Sequence, residues 1–269
     1  MKEKVKFEKP DLNLTKDFFC VDLHNHSVFS DGTSTIKQVL EKIRKLNIGV
    51  SITDHNEIQG SLELKKEIEK NKLDILLIPG IEVKSDENID VLFYFYSFEE
   101  MINFYNNEIK KNKKKYFHST KTILKIDDLY ELSKKYKCIT SLAHPFGYKL
   151  RAGKKLFELH KDKMLIFENI EVINGGNNRK DNLNALNLCN DLKKGYTGGS
   201  DSHTIHSLGN ILTCVKKKEL KKESKIIVYF LDSIKNKENF VIGNENSHGK
   251  IGEYFRYGYS KLKNIFLKK

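Results

Sequence analysis

The chain has 269 residues, 39% hydrophobic and 31% charged, which is enough apolar material for one sizeable core and a composition unlike that of a disordered chain. Its longest apolar stretch, residues 91–98, falls far short of the ~20 residues a membrane helix needs. The net charge of +12 is nearly all lysine, with arginine only at Arg44, Arg151, Arg179 and Arg256; because arginine is the better bidentate reader of phosphates and bases, the charge reads first as a solvated lysine-rich surface.

Residues 1–20 contain no apolar segment followed by a small-residue cleavage site, so a cytoplasmic location is expected. Cys20, Cys138, Cys189 and Cys214 are widely spaced and form no CxxC pair, which argues against a thiolate zinc site or a disulfide scaffold and for ordinary buried thiols.

The short, β-prone run 18–23 predicts a buried strand that ends at His24-Asn25-His26. Thr35 and Gln38 then form a capping-box pattern, and Ile36, Val39, Leu40, Ile43 and Leu46 recur at helical spacing. Residues 48–53 predict a second strand running into Asp54-His55, 61–70 a charged helix, and 74–78 a strand closing on Pro79-Gly80-Ile81-Glu82-Val83. A strand over 90–96 follows, then a lysine- and asparagine-rich surface helix with its loop over 98–117, and an amphipathic helix over 126–136. The strand 138–143 leads into His144-Pro145, the strand 170–173 into Asn174-Gly175-Gly176, a helix spans 182–192, and 195–199 leads into Ser200-Asp201-Ser202-His203. Helices over 224–234 and 258–269 are expected to pack on the outside of the domain. Strands alternating with helices, without a linker tract or fixed repeat, predict a single α/β domain over residues 1–269, with parallel strands arranged as a distorted seven-stranded (β/α) barrel.

Each predicted strand ends in a side chain able to bind metal: His24 and His26, His55, Glu82, His144, then Asp201 and His203. In parallel α/β barrels the C-terminal strand ends converge on one face, which would gather these residues at one mouth. Imidazole and carboxylate together suit zinc, manganese and iron, and the two rings of an HxH on a strand end share a side.

Five segments in order, DLHNHSVFSDG (22–32), ITDHN (52–56), PGIEV (79–83), AHP (143–145) and GGSDSH (198–203), give the chain its resemblance to the polymerase and histidinol phosphatase (PHP) family of metal-dependent phosphoesterases. The resemblance implies a TIM-like barrel carrying two or three divalent ions, manganese, iron or zinc. It implies that His24, His26, Glu82 and Asp201 hold one ion and Asp31, His55 and His203 a second, with Glu82 reaching a third shared with His144. Asp90 stands where many relatives carry a further histidine. Asp54, and on a weaker case Asp22, read as carboxylates that orient neighbouring ligands, whereas His118, His160 and His248 lie outside the motifs and read as surface residues.

The implied activity is hydrolysis of a phosphate ester of a small metabolite, nucleotide or oligonucleotide end by a metal-activated hydroxide. Lys149, Arg151, Arg179 and His206 follow the strand ends and are the candidates for neutralising phosphoryl oxygens, with His206 also a candidate proton donor to the leaving group. Glycines 175, 176, 198 and 199 would suit a close backbone approach or tight turns. A nuclease acting on short RNA or DNA is the alternative, supported by the lysine runs at 110–115 and 216–222; a non-catalytic metal-binding or regulatory protein is a third reading. A barrel amidohydrolase also uses HxH and a later Asp, but bridges its ions with a modified lysine where Glu82 stands here. No membrane partner is expected.

Overall fold

The computed structural model describes residues 4–116, 119–147, 161–220 and 222–245. Lys149, Arg151, His118, His160, His248 and the helix expected over 258–269 lie outside the described residues.

The strands are β1 (Val5–Lys6), β2 (Phe18–Asp22), β3 (Gly49–Val50), β4 (Gly80–Lys84), β5 (Asp90–Phe95), β6 (Lys113–Tyr116), β7 (Ser119–Thr122), β8 (Cys138–Leu142), β9 (Asn169–Asn174), β10 (Gly195–Gly199), β11 (Ile211–Lys216) and β12 (Phe240–Gly243). The helices are α1 (Ile36–Leu46), α2 (Gln59–Lys70), α3 (Phe98–Phe104), α4 (Ile126–Lys135), α5 (Arg179–Asp191) and α6 (Glu223–Lys235).

The expected α/β alternation is present, but the expected closed, parallel barrel is not what these strands build. Among the described residues they form two five-stranded sheets, β1-β12-β11-β2-β3 and β10-β9-β8-β5-β4, with β6-β7 as a separate hairpin. Strand directions are mixed: β2 with β3 and β8-β9-β10 run parallel, while β4-β5, β5-β8, β2-β11 and β11-β12 are antiparallel. The reason is local at β4-β5, where the connection is too short for a crossover helix and must reverse as a hairpin. Ser85 N–H donates to Ile89 O, Asn88 N–H donates to Ser85 O, and Asn88 takes a left-handed φ of 63°. The sheets meet without a continuous ladder. At one edge they share only the bridges Val50↔Leu77 and His55↔Glu82; at the other, the Thr213 hydroxyl donates to Gly198 O and accepts from Gly198 N–H at 2.9 and 3.0 Å.

Helix α1 forms for the reasons its sequence gives. Thr35 accepts from Gln38 N–H, Gln38 returns a bond to the Thr35 backbone, and Ile36, Val39, Leu40 and Ile43 are buried. Each such apolar side chain contributes about 1.5–3 kcal/mol on burial. Asn47 ends the helix in the left-handed region at φ 54°, a conformation asparagine tolerates. Helix α6 buries Ile227, Phe230, Leu231 and Ile234 in a cluster with Val21, Leu23, Leu92 and Tyr94.

Several element assignments differ from the sequence reading: β1, β11 and β12 were not expected, and the strand expected over 48–53 is regular only at Gly49–Val50. The segment 98–117, expected as one helix with its loop, is α3, a π-helical turn (Tyr105–Ile109) and strand β6, which pairs with β7. Asn112 pulls the chain into that hairpin, because its backbone accepts from Ile123 N–H at 2.9 Å. The strand expected over 74–78 is reduced to the Leu77 bridge, and the regular strand is β4 itself. Glu82 therefore sits inside a strand, not at the end of one.

Candidate metal centre

His24 and His26 leave the end of β2 with Asn25 between them. The Asn25 side chain knots three loops together: its amide donates to Asp22 O at 3.1 Å and Ser51 O at 3.3 Å, and its oxygen accepts from the hydroxyls of Ser200 (3.1 Å) and Ser202 (2.8 Å). This fixes both rings of the HxH against the segment that carries Asp201 and His203. His144 and Asp201 follow β8 and β10 with φ of 28° and 49°, backbone strain of about 1–3 kcal/mol each that non-glycine residues carry only where the surroundings demand it.

These side chains converge. His26 Nε2 lies 3.1 Å from Asp201 Oδ1 and 3.3 Å from Glu82 Oε2; His24 Nε2 lies 3.2 Å from His26 Nε2, 3.4 Å from Glu82 Oε1 and 3.6 Å from Asp201 Oδ1. On one flank Asp31 stands 3.3 Å from His203 Nε2, 3.6 Å from His55 Nε2 and 3.7 Å from His26 Nδ1. On the other, His144 Nε2 is 3.2 Å from Glu82 Oε1. Two donors sharing an ion at about 2.0–2.2 Å stand roughly 2.8–3.6 Å apart, so these separations suit a shared cation.

Asp90 lies on the Glu82 side of the cluster. It groups with His55 and Glu82, not directly with His144, and its Oδ2 is 2.5 Å from Lys84 Nζ. Lys84 lies directly opposite Asp90 across the β4-β5 ladder, and the antiparallel pairing brings the two side chains together.

The donor set fits a cation on a second count. His26 Nδ1, Asp31 Oδ1 and Asp90 Oδ1 are buried without a hydrogen-bond partner, and His55 Nδ1 meets Glu82 Oε2 at 2.8 Å outside hydrogen-bond geometry, a costly state for polar atoms that a bound cation would relieve. Electrostatics agree. Burial alone would raise the Glu82 carboxyl, but His55 and His24 outweigh it and hold it well below the usual carboxylate range. Asp201 and Asp31 are held down in the same way, against burial, by their histidine neighbours. Burial, with His203 and His55 close by, pushes His26 down to about 3, so its ring is neutral and one ring nitrogen has a lone pair free to ligate.

Several residues around the cluster do other work. Asp54, expected to orient a neighbouring ligand, braces the 27–31 loop that presents Asp31, accepting from Ser27 N–H at 2.7 Å, Ser27 Oγ–H at 2.6 Å and Ser30 Oγ–H at 2.5 Å. Asp22 accepts from Ser200 N–H at 2.9 Å and Gly209 N–H at 2.7 Å. Burial pushes each of these two carboxyls up to about 6. Asn25 and Glu171 were not singled out from the sequence; Glu171 Oε1 accepts from His24 Nδ1 at 2.9 Å.

The basic candidates fare unevenly. Arg179 is 2.6 Å from Glu245, hydrogen-bonded to Asn244 and stacked on Phe7, which commits its guanidinium to tying β1 and the end of β12 to α5. His206 is exposed on the loop after His203. The glycines serve packing: a Cβ on Gly199 would lie 2.6 Å from His24 N, and one on Gly175 would lie 3.0 Å from the Ser200 carbonyl carbon, so their absence lets the chain segments that bear ligands touch.

The family model of the PHP domain matches residues 22–177. The chain belongs to the PHP domain family. Among curated proteins it is similar to the 5'-3' exoribonuclease Rnm of Escherichia coli K12, 32% identical over 65 residues, which are 24% of this chain and 22% of that protein. Among solved structures it resembles a Bacteroides vulgatus two-domain protein containing a predicted PHP-like metal-dependent phosphoesterase, at 20% identity and a TM-score of 0.59, covering 89% of this chain and 68% of that one. It also resembles the lesion-specific endonuclease PfuEndoQ of Pyrococcus furiosus, at 16% identity and a TM-score of 0.61, covering 83% of this chain and 57% of that one. The structural likenesses establish a PHP-like mixed α/β fold. Divalent-metal binding follows from the family together with the His/Asp/Glu clusters. No helix among the described residues is long and apolar enough to cross a membrane.

Proposed function

We propose that this PHP protein is a phosphoesterase that hydrolyses a phosphate ester of a small metabolite, nucleotide or oligonucleotide end with two or three manganese, iron or zinc ions. The observation that supports it best is the convergence of His24, His26, His55, His144 and His203 with Asp31, Glu82 and Asp201, with several buried donor atoms left unpartnered. His24, His26, Asp201 and Glu82 would hold one ion, Asp31, His55 and His203 a second, and His144 with Glu82 would reach a third. Bound ions would supply charge neutralisation for phosphoryl oxygens and a water of lowered pKa.

The chain's own residues do the remaining work. Glu82, fully buried between the imidazoles, keeps them facing one point. Asp31, on its braced loop, closes the open flank. His206, beside the cluster in sequence and exposed, is assigned the proton donation to the leaving oxygen, because an imidazole titrates near neutral pH. Arg151 is assigned to phosphoryl oxygens; Arg179 is the weaker candidate because its charge is met by Glu245.

The nuclease reading is supported by the local similarity to an exoribonuclease. The lysine runs lend it less. Lys113 and Lys114 are paired with Glu57 and Asp86, and Lys217 is hydrogen-bonded to Thr15 O. The test is a screen of manganese-, iron- and zinc-loaded protein against phosphomonoesters, phosphodiesters and short RNA and DNA, with His24→Ala as the blank. Phosphate release lost in the blank is expected; turnover unchanged by the substitution overturns the assignment, and an inert loaded protein favours a binding or regulatory role. Cleavage of oligonucleotides that falls steeply with salt would select the nuclease.

A further inference from the structure

Resting on the metal-centre reading, we infer that Glu171 is a positioning residue that sets the tautomer of His24 and locks the His144 loop beside it. Glu171 lies in the middle of β9, only 1% exposed, in a strand buried on both faces. A carboxylate there is tolerated only if it is fully hydrogen-bonded. Both oxygens are occupied: Oε1 faces His24 Nδ1 at 2.9 Å, and Oε2 accepts from His144 N–H and from the Asn174 side-chain amide, each at 2.9 Å.

The direction of these bonds carries the inference. Oε2 already takes two N–H donors and Oε1 faces the ring, so His24 Nδ1 is the donor to Glu171 and Nε2 is the atom turned to His26, Glu82 and Asp201. A second carboxylate behind a metal-facing imidazole fixes the ring and raises its basicity. The other oxygen acts on a different loop. His144 has a left-handed backbone at φ 28°, and its N–H is satisfied by Glu171. One buried side chain thus sets the registration of two candidate ligands that lie 120 residues apart in sequence.

Glutamine is the informative replacement because it is isosteric but cannot serve both sides. Its single oxygen has two N–H donors to satisfy at the Oε2 position, so it turns there and presents its NH2 to His24 Nδ1. That forces the ring proton onto Nε2, the atom that faces the cluster. The experiment combines a competition titration of zinc with 15N spectra of the histidine rings in the zinc-loaded full chain. In the wild type, His24 is expected to show a protonated Nδ1 and a zinc-shifted Nε2. In Glu171→Gln, that pattern is lost and zinc affinity falls about 10–100-fold, while the unfolding midpoint of the metal-free protein changes little. Glu171→Asp, which withdraws the carboxylate by one methylene, should show the same loss of affinity.

A Glu171→Gln protein that keeps the wild-type His24 spectrum and binds zinc within twofold of wild type overturns the inference. If neither variant folds, the wild-type spectrum alone decides: zinc on Nδ1 of His24, or no proton there, is equally fatal. A wild-type protein that takes up no zinc, manganese or iron refutes the metal-centre reading itself, which is a different failure.

Discussion

Gly199→Ala is the smallest change expected to dismantle the centre without replacing a ligand. A Cβ at 199 would lie 2.6 Å from His24 N and 3.0 Å from His24 Cα. Both are backbone atoms at the end of a central strand, with no rotamer to swing aside. Ordinary contact requires β10 and β2 to part by roughly 1 Å, an overpacking that costs typically 1–3 kcal/mol. The site has no slack for that movement. Asp201 Oδ1 is already 3.6 Å from His24 Nε2 and 3.1 Å from His26 Nε2, and adjacent donors on one ion stand roughly 2.8–3.6 Å apart. The variant should therefore melt several degrees below wild type and bind manganese or zinc at least about 10-fold more weakly, the lower end of what second-sphere disruption costs. Thermal unfolding and elemental analysis after equilibrium dialysis read the two effects. Gly195→Ala is the control at the far end of β10: its Cβ would press on the Asn169 side chain, lowering stability with metal content intact. Wild-type metal content in Gly199→Ala would refute the claim that this strand contact sets the spacing.

Three further outcomes are expected. Asp54 carries a folded-state pKa raised by burial to about 6 from 3.8, so the fold favours its protonated form. Its contribution is present below about pH 4 and is lost as pH rises through about 6, by up to about 3 kcal/mol. Urea unfolding of the metal-free protein should show Asp54→Asn gaining on wild type across that window, and a constant difference between the two would refute the assignment. Gly60→Ala in α2 should destabilise despite a helix-propensity gain of about 1 kcal/mol, because the new Cβ would lie 2.6 Å from Ser27 Oγ and against Asp54; a raised urea midpoint would contradict this. Removal of metal by a chelator should lower the melting temperature, and restoring the ion to 100 times its Kd should return about 2.7 kcal/mol, with His55→Ala showing a smaller recovery.

The elements legible in the sequence were those whose signals are local. The capping box and apolar stripe of α1 appear as read, and the five motifs mark residues that the fold gathers into one cluster. What failed was long-range. Mixed strand direction depends on connection length and on which edges find each other, and neither is written in a strand's own periodicity. The hairpin β6-β7 escaped because lysine and threonine runs have no strong hydrophobic period; its reason for forming lies elsewhere, in Thr120 and Thr122 hydroxyls that donate to His55 O and Lys84 O. Glu171 was missed although a signal existed. Ile170-Glu171-Val172 repeats the Ile81-Glu82-Val83 tripeptide, and a lone carboxylate within an apolar strand requires a buried partner wherever it occurs.

The same reasoning explains how the fold supports so much charge in its interior. Asp22, Asp54 and Glu171 are each at most 1% exposed, and each spends its acceptors largely on backbone N–H, hydroxyl or imidazole donors of the loops that bear the candidate ligands. Glu171 holds the segments at 144 and 174, Asp22 those at 200 and 209, and Asp54 the turn at 27–30. Strained backbone at His144 and Asp201 persists because the neighbouring N–H groups are already claimed by these carboxylates. Loops alone would let the imidazoles relax away from one another. A frame of buried acceptors, anchored in strands, keeps them aimed at a common point, and the geometry of the centre is therefore inherited from residues that do not themselves belong to it.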